Sequence, residues 1–356
     1  MRISKRIAAL VLAAALCFSL FGCSAGEKSE KNTGIFTDST GRDVNVPKKI
    51  EKVAVSGPLA QIYVFALCPD LLVGISSAWN ETELAYLDAK YHDLPELGQL
   101  YGGKGDLDPE ALLASGADIV IDVGETKDGM GEELDALSGQ TGIPFVHVGV
   151  TVETAGEGYR MLGKLLGMEA EAEELASYCE RVYAETKALA QRVEKKSLLY
   201  CLGDAGLNVI AANSYHSEVI DLLSDNRAVV DAPSSRGTGN EADMEQLLLW
   251  DPEVIVFGQV SVFADVGQDP LWQQMTAIRQ GTYYEVPVGP HNWLSFPPSV
   301  QRYLGMQWLA ALLYPAEYGG DFYDAASEFF RLFYHSTLSR EQFDAMTANS
   351  LGKLQP

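Results

Sequence analysis

The chain contains 356 residues, with 49 acidic and 26 basic side chains and a formal net charge of -23 at pH 7. So acidic a chain is unsuited to gripping nucleic acid or anionic lipid headgroups through a basic patch. Its length is sufficient for two domains that each bury a core. The five cysteines show no paired spacing, which predicts neither a disulfide framework nor a zinc ribbon.

The N-terminus has the layout of an export sequence. Basic residues at positions 2, 5 and 6 precede an apolar run, residues 7–21, that is shorter than a membrane span. Residues 1–22 are therefore predicted to be a signal peptide. The run ends in the sequence LFGC, which resembles the bacterial lipobox and marks Cys23 as the acylated first mature residue. Residues 23–34 are small, polar and charged, which predicts a flexible tether behind the lipid.

Residues 35–150 are predicted to form an α/β domain. Alternating apolar residues around a Thr-Gly turn predict a hairpin over 36–46, and the apolar run at 52–55 predicts a buried strand. A proline opens the predicted helix that ends at Leu67, and a short strand is predicted at 71–75. The domain thus begins with strands and helices in alternation, which is typical of a parallel sheet.

A long amphipathic helix is predicted over residues 169–193, inside a helical connector spanning 151–195. Its apolar residues recur at spacings of three and four, and its length of about 37 Å could bridge two bodies. Two similar sequence segments flank this helix, at 103–121 and 237–256. Each predicts a Gly-x-Gly turn, a capped short helix and a buried strand. This pattern favours two α/β lobes joined by one helix, the second covering 196–350. The alternative is two unrelated β/α units that share common residues.

A series of short motifs runs along the chain: DSTGRDVNVP at 38–47, LPELG at 94–98, DPEALL at 108–113, ADIVI at 117–121, GIP at 142–144 and DPEVIV at 251–256. Their order and spacing resemble those of the substrate-binding lipoproteins of ABC importers for iron siderophores, haem and cobalamin. The resemblance covers nearly the whole mature chain. It implies two Rossmann-like lobes with parallel sheets joined by one long backbone helix, the class III periplasmic-binding-protein arrangement, with the ligand held between the lobes.

Ligands of open α/β sheets bind beyond the carboxyl ends of the strands, where loops and helix N-termini converge. The predicted cleft wall is therefore made of the segments that follow the strands. These segments are 56–59, 76–80, 99–104 and 123–127 in the first lobe, and 203–205, 213–216, 234–236, 258–260 and 290–293 in the second.

Aromatic and cationic residues in these segments are the candidate ligand contacts. Trp79 and Tyr101 stand in loops where no helical or strand period would bury them, and their rings would suit an apolar chelate or tetrapyrrole. Lys104 and Arg236 adjoin the two Gly-x-Gly turns, one in each lobe, so an anionic ligand is expected. For each of these residues, ordinary surface or partial core placement is the alternative.

Two histidines complete the candidate site. Tyr215 and His216 are predicted to open a helix with Ser214 as its N-cap, and His291 lies in a Gly/Pro-rich loop that also holds Trp293. Either imidazole could ligate the metal of a haem or chelate, or merely donate a hydrogen bond. With so few converging ligands, a bare transition-metal site is not favoured.

No catalytic or nucleotide-binding motif is present, so the sequence predicts a binding protein without enzymatic activity or a resident cofactor. The resemblance implies a monomer, lipid-anchored on the extracytoplasmic face of the membrane, that delivers an iron siderophore, haem or corrinoid to an ABC permease and its ATPase subunits. A small oxyanion such as molybdate or tungstate, a metal ion and a metal–amino-acid complex remain alternatives. The resemblance also implies one acidic docking site on each lobe, here Glu132 and Glu133 in the first and Asp265 and Asp269 in the second, each pair on a helix that follows a buried strand.

Overall fold

The computed structural model describes residues 33–101 and 106–354. The predicted signal peptide, Cys23 with nearly all of its tether, and Lys104 lie outside the described residues. The first lobe and the connector contain β1 (Thr33–Thr37), β2 (Asp43–Pro47), β3 (Val53–Val55), α1 (Pro58–Leu67), α2 (Glu81–Leu84), α3 (Pro109–Ser115), β4 (Ile119–Gly124), α4 (Met130–Thr141), β5 (Phe145–Gly149), α5 (Ala155–Leu166) and α6 (Glu169–Ala190). The second lobe contains β6 (Ser197–Leu202), β7 (Asn208–Val209), α7 (Glu218–Leu223), β8 (Asp225–Asn226), β9 (Asn240–Glu241), α8 (Met244–Trp250), β10 (Val254–Phe257), α9 (Thr276–Gln280), β11 (Tyr283–Glu285), α10 (Gln301–Leu313), α11 (Pro315–Tyr318), α12 (Phe322–Phe333) and α13 (Arg340–Thr347).

The first lobe is built on a parallel sheet in the order β3-β4-β5, beside the antiparallel hairpin of β1 and β2. Both features were predicted. The prediction of a strand at 71–75 is wrong. This segment forms only isolated bridges, at single residues, with two different partners. Leu72 bridges to Val53, and three residues later Ile75 bridges to Glu96. The change of partner occurs at Gly74, where a Cβ would lie 2.8 Å from the carbonyl oxygen of Pro95.

The second lobe has a larger, mixed sheet in the order β11-β10-β6-β7-β9, with β8 pairing against β6. Its core of β6, β10 and β11 is parallel, as predicted, whereas β7 pairs antiparallel with β6 and β9. Every residue of β10 is buried, as expected for a strand covered on both faces. The loops that follow β6, β10 and β11 therefore leave the sheet at one edge.

The connecting helix α6 confirms the predicted helix between the lobes. Its 22 residues span about 33 Å and end three residues earlier than the pattern indicated. The predicted apolar stripe is buried, including Leu175, Cys179 and Val182, and it packs against α5, α7 and α10. The opposite face carries charged side chains, among them Glu173 and Glu180, which both bind Arg160 of α5. The helix is thus held by a core contact along most of its length.

The two similar sequence segments have the same structural roles in both lobes. Asp108 caps α3 and Asp243 caps α8, each through its Oδ1 and backbone N–H groups of the first turn. One turn after each helix, a carboxylate accepts backbone N–H groups at the start of the neighbouring strand. Asp118 does this for β3 and Glu253 for β6. The predicted repeat therefore consists, in each lobe, of an Asp-capped helix followed by a carboxylate that binds the start of the neighbouring strand.

The segment that leaves β5, residues 150–152, is gripped by side chains of the second lobe. The hydroxyl groups of Tyr215 and Tyr303 donate to the carbonyl oxygens of residues 150 and 152, at 2.9 and 2.8 Å. The carboxylate of Glu218 accepts the N–H of Val152 and pairs with Arg302 of α10, which is 1% exposed. This buried polar cluster fixes the point where the chain crosses from one lobe to the other.

Candidate functional site

A cavity of about 560 Å³ lies between the lobes, at the carboxyl ends of the second sheet. This is where loops of an open α/β sheet converge, as the sequence predicted. Most of its wall comes from the segments after β6, β10 and β11, and Asn80 contributes from the first lobe. The lining residues are Asn80, Leu202, Gly203, Asp204, Asn208, Thr238, Gly258, Gln259, Val260, Val288, Pro290, His291, Asn292 and Phe296.

The backbone after β10 is shaped to make this wall. At Gly258 a Cβ would lie 2.6 Å from the Cδ2 of Leu202, so a side chain there would displace the side chain of Leu202. Two residues later, Val260 has a φ of 53°, a left-handed conformation that a β-branched residue rarely adopts. Its side chain is 80% exposed at the edge of the cavity. Strain of this kind is concentrated at binding sites, where the surrounding structure maintains it.

His291 links the two lobes at the cavity wall. Its Nδ1 lies 3.0 Å from Oε1 of Glu83 in α2, and both side chains are nearly buried. The other carboxylate oxygen of Glu83 accepts the N–H of Asn80, while Asn80 accepts the N–H of Glu83 through its Oδ1. A capping box on the first lobe thereby orients the imidazole of the second. Of the seven predicted ligand contacts that the structure describes, His291 is the one that lines the cavity.

His216 lies behind the wall rather than on it. It is buried, its Nδ1 donates to the carbonyl oxygen of Ser295, and its ring lies 6.5 Å from that of Phe296. Burial lowers the pKa of His216, so the imidazole is neutral at pH 7. His216 therefore supports the loop that carries Phe296 into the wall.

The helix start predicted at Ser214 is wrong by three residues. The helix α7 begins at Glu218 with Ser217 at its N-cap, and no side chain caps it. Ser214 and Ser217 are instead joined by hydrogen bonds. The hydroxyl of Ser217 accepts from the N–H of Ser214 and donates to the carbonyl oxygen of Ser214. Tyr215 stands in this turn with its ring 4.7 Å from the guanidinium of Arg302, so it belongs to the buried polar cluster between the lobes.

The predicted aromatic contacts are packing residues. Trp79 is buried against Phe65, and its indole N–H donates to the carbonyl of residue 91. Trp293 is fully buried and donates to the carbonyl of residue 289. Each loop folds back onto its own lobe and supplies a carbonyl for the indole N–H, which removes the cost of burying that group. The expectation that Trp79 lies exposed in a loop is therefore wrong.

Tyr101 and Arg236 also lie off the cavity wall. The hydroxyl of Tyr101 donates to Oε2 of Glu133 at 2.6 Å, and burial together with this carboxylate raises the pKa of Tyr101. Its ring packs at the edge of the first-lobe core. Arg236 is exposed and pairs with no carboxylate among the described residues. Lys104, the other cation expected to face the cleft, lies outside the described ranges, so the predicted pair of cations stays a prediction.

The carboxamides of the wall were not singled out from the sequence. Asn80, Gln259 and Asn292 lie within the predicted wall segments, and so does Asp204, although the sequence favours aromatic and cationic residues as the ligand contacts there. Asn208, on β7, lies outside every predicted segment. Carboxamides both donate and accept hydrogen bonds, and this property is the sequence signal that identifies most of these wall residues within the strand-end segments.

A chain of hydrogen bonds ends at the first-lobe side of the cleft. His147 is fully buried, with Nδ1 2.6 Å from Oδ2 of Asp122 and Nε2 2.9 Å from the hydroxyl of Thr126. Asp122 also accepts from the hydroxyl of Ser56. Ser56 and Thr126 both belong to predicted wall segments, so this chain holds together the loops that follow β3 and β4.

The four predicted docking carboxylates differ in their surroundings. Glu132 and Glu133 are exposed in the first turn of α4, as predicted, although Glu133 also binds Tyr101. The prediction that a helix carries Asp265 and Asp269 is wrong, because this segment is a 3₁₀ turn followed by a loop. Asp269 accepts backbone N–H groups of the next turn, and Asp265 is exposed.

Neither a metal cluster nor a membrane span is found in the part of the chain that the structure describes. No three His, Cys, Asp or Glu side chains converge there on a point that could hold a metal ion. Within the same ranges, no helix combines the length and apolarity needed to cross a bilayer.

Two lobes joined by one helix, with a cavity at the carboxyl ends of a sheet, define an α/β binding protein that encloses its ligand between lobes. The chain belongs to the periplasmic binding protein family, whose sequence profile matches residues 77–288. It is the extracytoplasmic solute-binding protein of an ABC importer, which confirms the family and fold predicted from the sequence. No curated protein matches the chain significantly.

Solved structures of similar fold come from several bacteria. An ABC transporter solute-binding protein from Sulfurospirillum deleyianum is 26% identical, with a TM-score of 0.80 over 88% of this chain and 98% of its own. The molybdate-binding protein MolA of Haemophilus influenzae is 18% identical, with a TM-score of 0.68 over 86% and 99%. The haem-binding protein RhuT from Roseiflexus is 18% identical, with a TM-score of 0.57 over 75% and 99%. The fold is therefore shared by proteins that bind different ligands.

Proposed function

We propose that this solute-binding protein captures a metal chelate of siderophore, haem or corrinoid size and delivers it to its permease without altering it chemically. The observation that carries the proposal is the size of the cavity. At about 560 Å³ it is far larger than a single water molecule, whose share of liquid volume is about 30 Å³. This volume falls in the range of about 300–1,000 Å³ that is typical of sites for sizeable organic ligands.

The lining supports the same conclusion. Apolar side chains such as Phe296 and Val260 alternate with hydrogen-bonding groups such as Asn208 and Gln259 around the cavity. A large chelate offers both kinds of surface, whereas a small oxyanion would fill little of the space. The metal would arrive bound to its own organic ligands as cargo, so the protein needs to recognise the outside of the complex.

Native mass spectrometry of the protein purified from its own host, combined with metal analysis, tests this proposal. We expect one bound species that contains both a metal and an organic component of several hundred daltons. Incubation with protein should return the same species unchanged. A bound molybdate or tungstate ion, or a metal without an organic ligand, would contradict the proposal and favour the smaller-ligand alternatives.

Delivery is proposed to use one acidic docking site on each lobe. Glu132 and Glu133 are exposed on α4, and Asp265 is exposed beyond the 3₁₀ turn of the second lobe. Such exposed carboxylates contribute about 0–1 kcal/mol each, but they orient the encounter with a basic permease surface. Because Glu133 also binds Tyr101, Glu132 is the cleaner position to change.

Transport into vesicles tests the docking sites separately from ligand binding. Glu132→Gln with Glu133→Gln, and separately Asp265→Asn with Asp269→Asn, should slow uptake while ligand affinity stays unchanged. Exposed Glu317 on α11 offers a matched control, and Glu317→Gln should leave uptake unaltered. Normal uptake with both lobes altered would refute the assignment, and a loss of ligand affinity would place these carboxylates in the binding site instead.

A further inference from the structure

The charge of the cavity wall indicates the charge of the ligand. Among the described lining residues, Asp204 is the carboxylate and no side chain is a lysine or arginine. Asp204 is exposed and forms no ion pair or hydrogen bond within the described ranges, so its charge is not neutralised by a neighbour. An anionic ligand would meet this charge at close range, inside a protein whose net charge is already -23.

The remaining polar groups of the wall are neutral. The side chains of Asn208, Gln259 and Thr238 face no hydrogen-bond partner among the described residues and remain available to a ligand. A carboxamide donates through its NH₂ and accepts through its oxygen, so it suits uncharged carbonyl, amide and hydroxamate groups. An anion would instead favour sites rich in cations and clustered N–H donors.

The rim of the cavity is apolar on the second-lobe side. Phe296 is 41% exposed and Val260 is held exposed in its strained conformation. Apolar side chains in a cavity wall suit a ligand that has apolar portions as well as uncharged polar groups.

We infer that the ligand is an electroneutral or cationic metal complex with amide or hydroxamate groups on its outside, and that Asp204 sets this charge preference. The inference rests on the proposed function and narrows it, and it replaces the anionic ligand expected from the sequence. Three hydroxamates, each singly negative, neutralise ferric iron, whereas three doubly negative catecholates leave a ferric complex strongly anionic. A corrinoid carries a rim of neutral amides, whereas haem carries two propionates.

Calorimetric titration with four probes separates these classes. Ferrioxamine B is a cationic ferric trihydroxamate and cyanocobalamin a neutral corrinoid, while a ferric tris-catecholate and haemin are anionic. We expect one of the first two to bind at least tenfold more tightly than either anionic probe. Tighter binding of ferrioxamine B would identify the ligand class as ferric trihydroxamates, and tighter binding of cyanocobalamin would identify it as corrinoids.

Variants of Asp204 test its role directly. Asp204→Asn keeps the size and removes the charge, so it should weaken ferrioxamine B about fivefold, change cyanocobalamin less than twofold and strengthen any anionic probe. Glu317→Gln, an exposed change on α11 outside the cavity, should alter none of these affinities. Preferred binding of haemin or the tris-catecholate, or affinities indifferent to Asp204→Asn, would overturn the charge inference while leaving a chelate-binding function in place. Binding of none of the four probes would overturn both.

Discussion

Replacing Glu218 by glutamine should destabilise the protein by about 3 kcal/mol. Arg302 is 1% exposed, and Glu218 is the carboxylate that pairs with it. The Nε of Arg302 has no hydrogen-bond partner, and its terminal nitrogens otherwise reach only the carbonyl and hydroxyl oxygens of Tyr215. The Glu218→Gln change would therefore leave a cation buried without a counter-charge, for which about 3–5 kcal/mol is typical. The retained amide oxygen can still accept one hydrogen bond, which favours the lower end.

Urea denaturation followed by tryptophan fluorescence measures this loss, since several indoles are buried in the two cores. A matched control is Asp344→Asn, which removes one of the two carboxylates that pair with the exposed Arg340 and should cost less than about 1 kcal/mol. The double variant Glu218→Leu with Arg302→Met removes both charges and should recover most of the loss. A destabilisation below about 1 kcal/mol for Glu218→Gln would show that the pair is not the support of the lobe junction.

Four other measurements test the remaining inferences. Cys23→Ser should release the protein from the membrane fraction of its host, because the predicted lipid is the anchor, and persistent association in detergent-free fractions would contradict this. The folded-state pKa of His216 is lowered, so its contribution to stability should be present above about pH 6.5 and be lost as pH falls through the folded value. His216→Asn should therefore flatten the pH dependence of the urea midpoint between pH 7.5 and pH 5, and an unchanged slope would exclude this role. Val260→Gly should raise stability by about 1 kcal/mol by relieving its left-handed backbone while weakening ligand binding, and a loss of stability would show that the side chain is well supported. X-ray scattering with and without ligand should differ little, because the continuous helix α6 resists hinge closure, and a large change in the radius of gyration would refute this.

Local patterns predicted the architecture. The connecting helix begins at Glu169 as predicted because its apolar spacing is a property of consecutive residues, and the same holds for the hairpin and for the capped helices at Asp108 and Asp243. Strand-end geometry also located most of the cavity wall, since the carboxyl edge of a parallel sheet follows from strand direction alone.

The chemistry of the site depended on contacts between distant parts of the chain. Nothing near Trp79 in sequence shows that Phe65 and a carbonyl at residue 91 enclose its indole. Glu218 and Arg302 are 84 residues apart, and Glu83 meets His291 across the two lobes. Tertiary packing decides whether a polar side chain binds such a partner within the protein or remains available to a ligand. The sequence by itself therefore determined most of the elements, the two lobes and the sheet edge at which the cavity lies, whereas the tertiary structure decided which side chains form the wall and what charge they present.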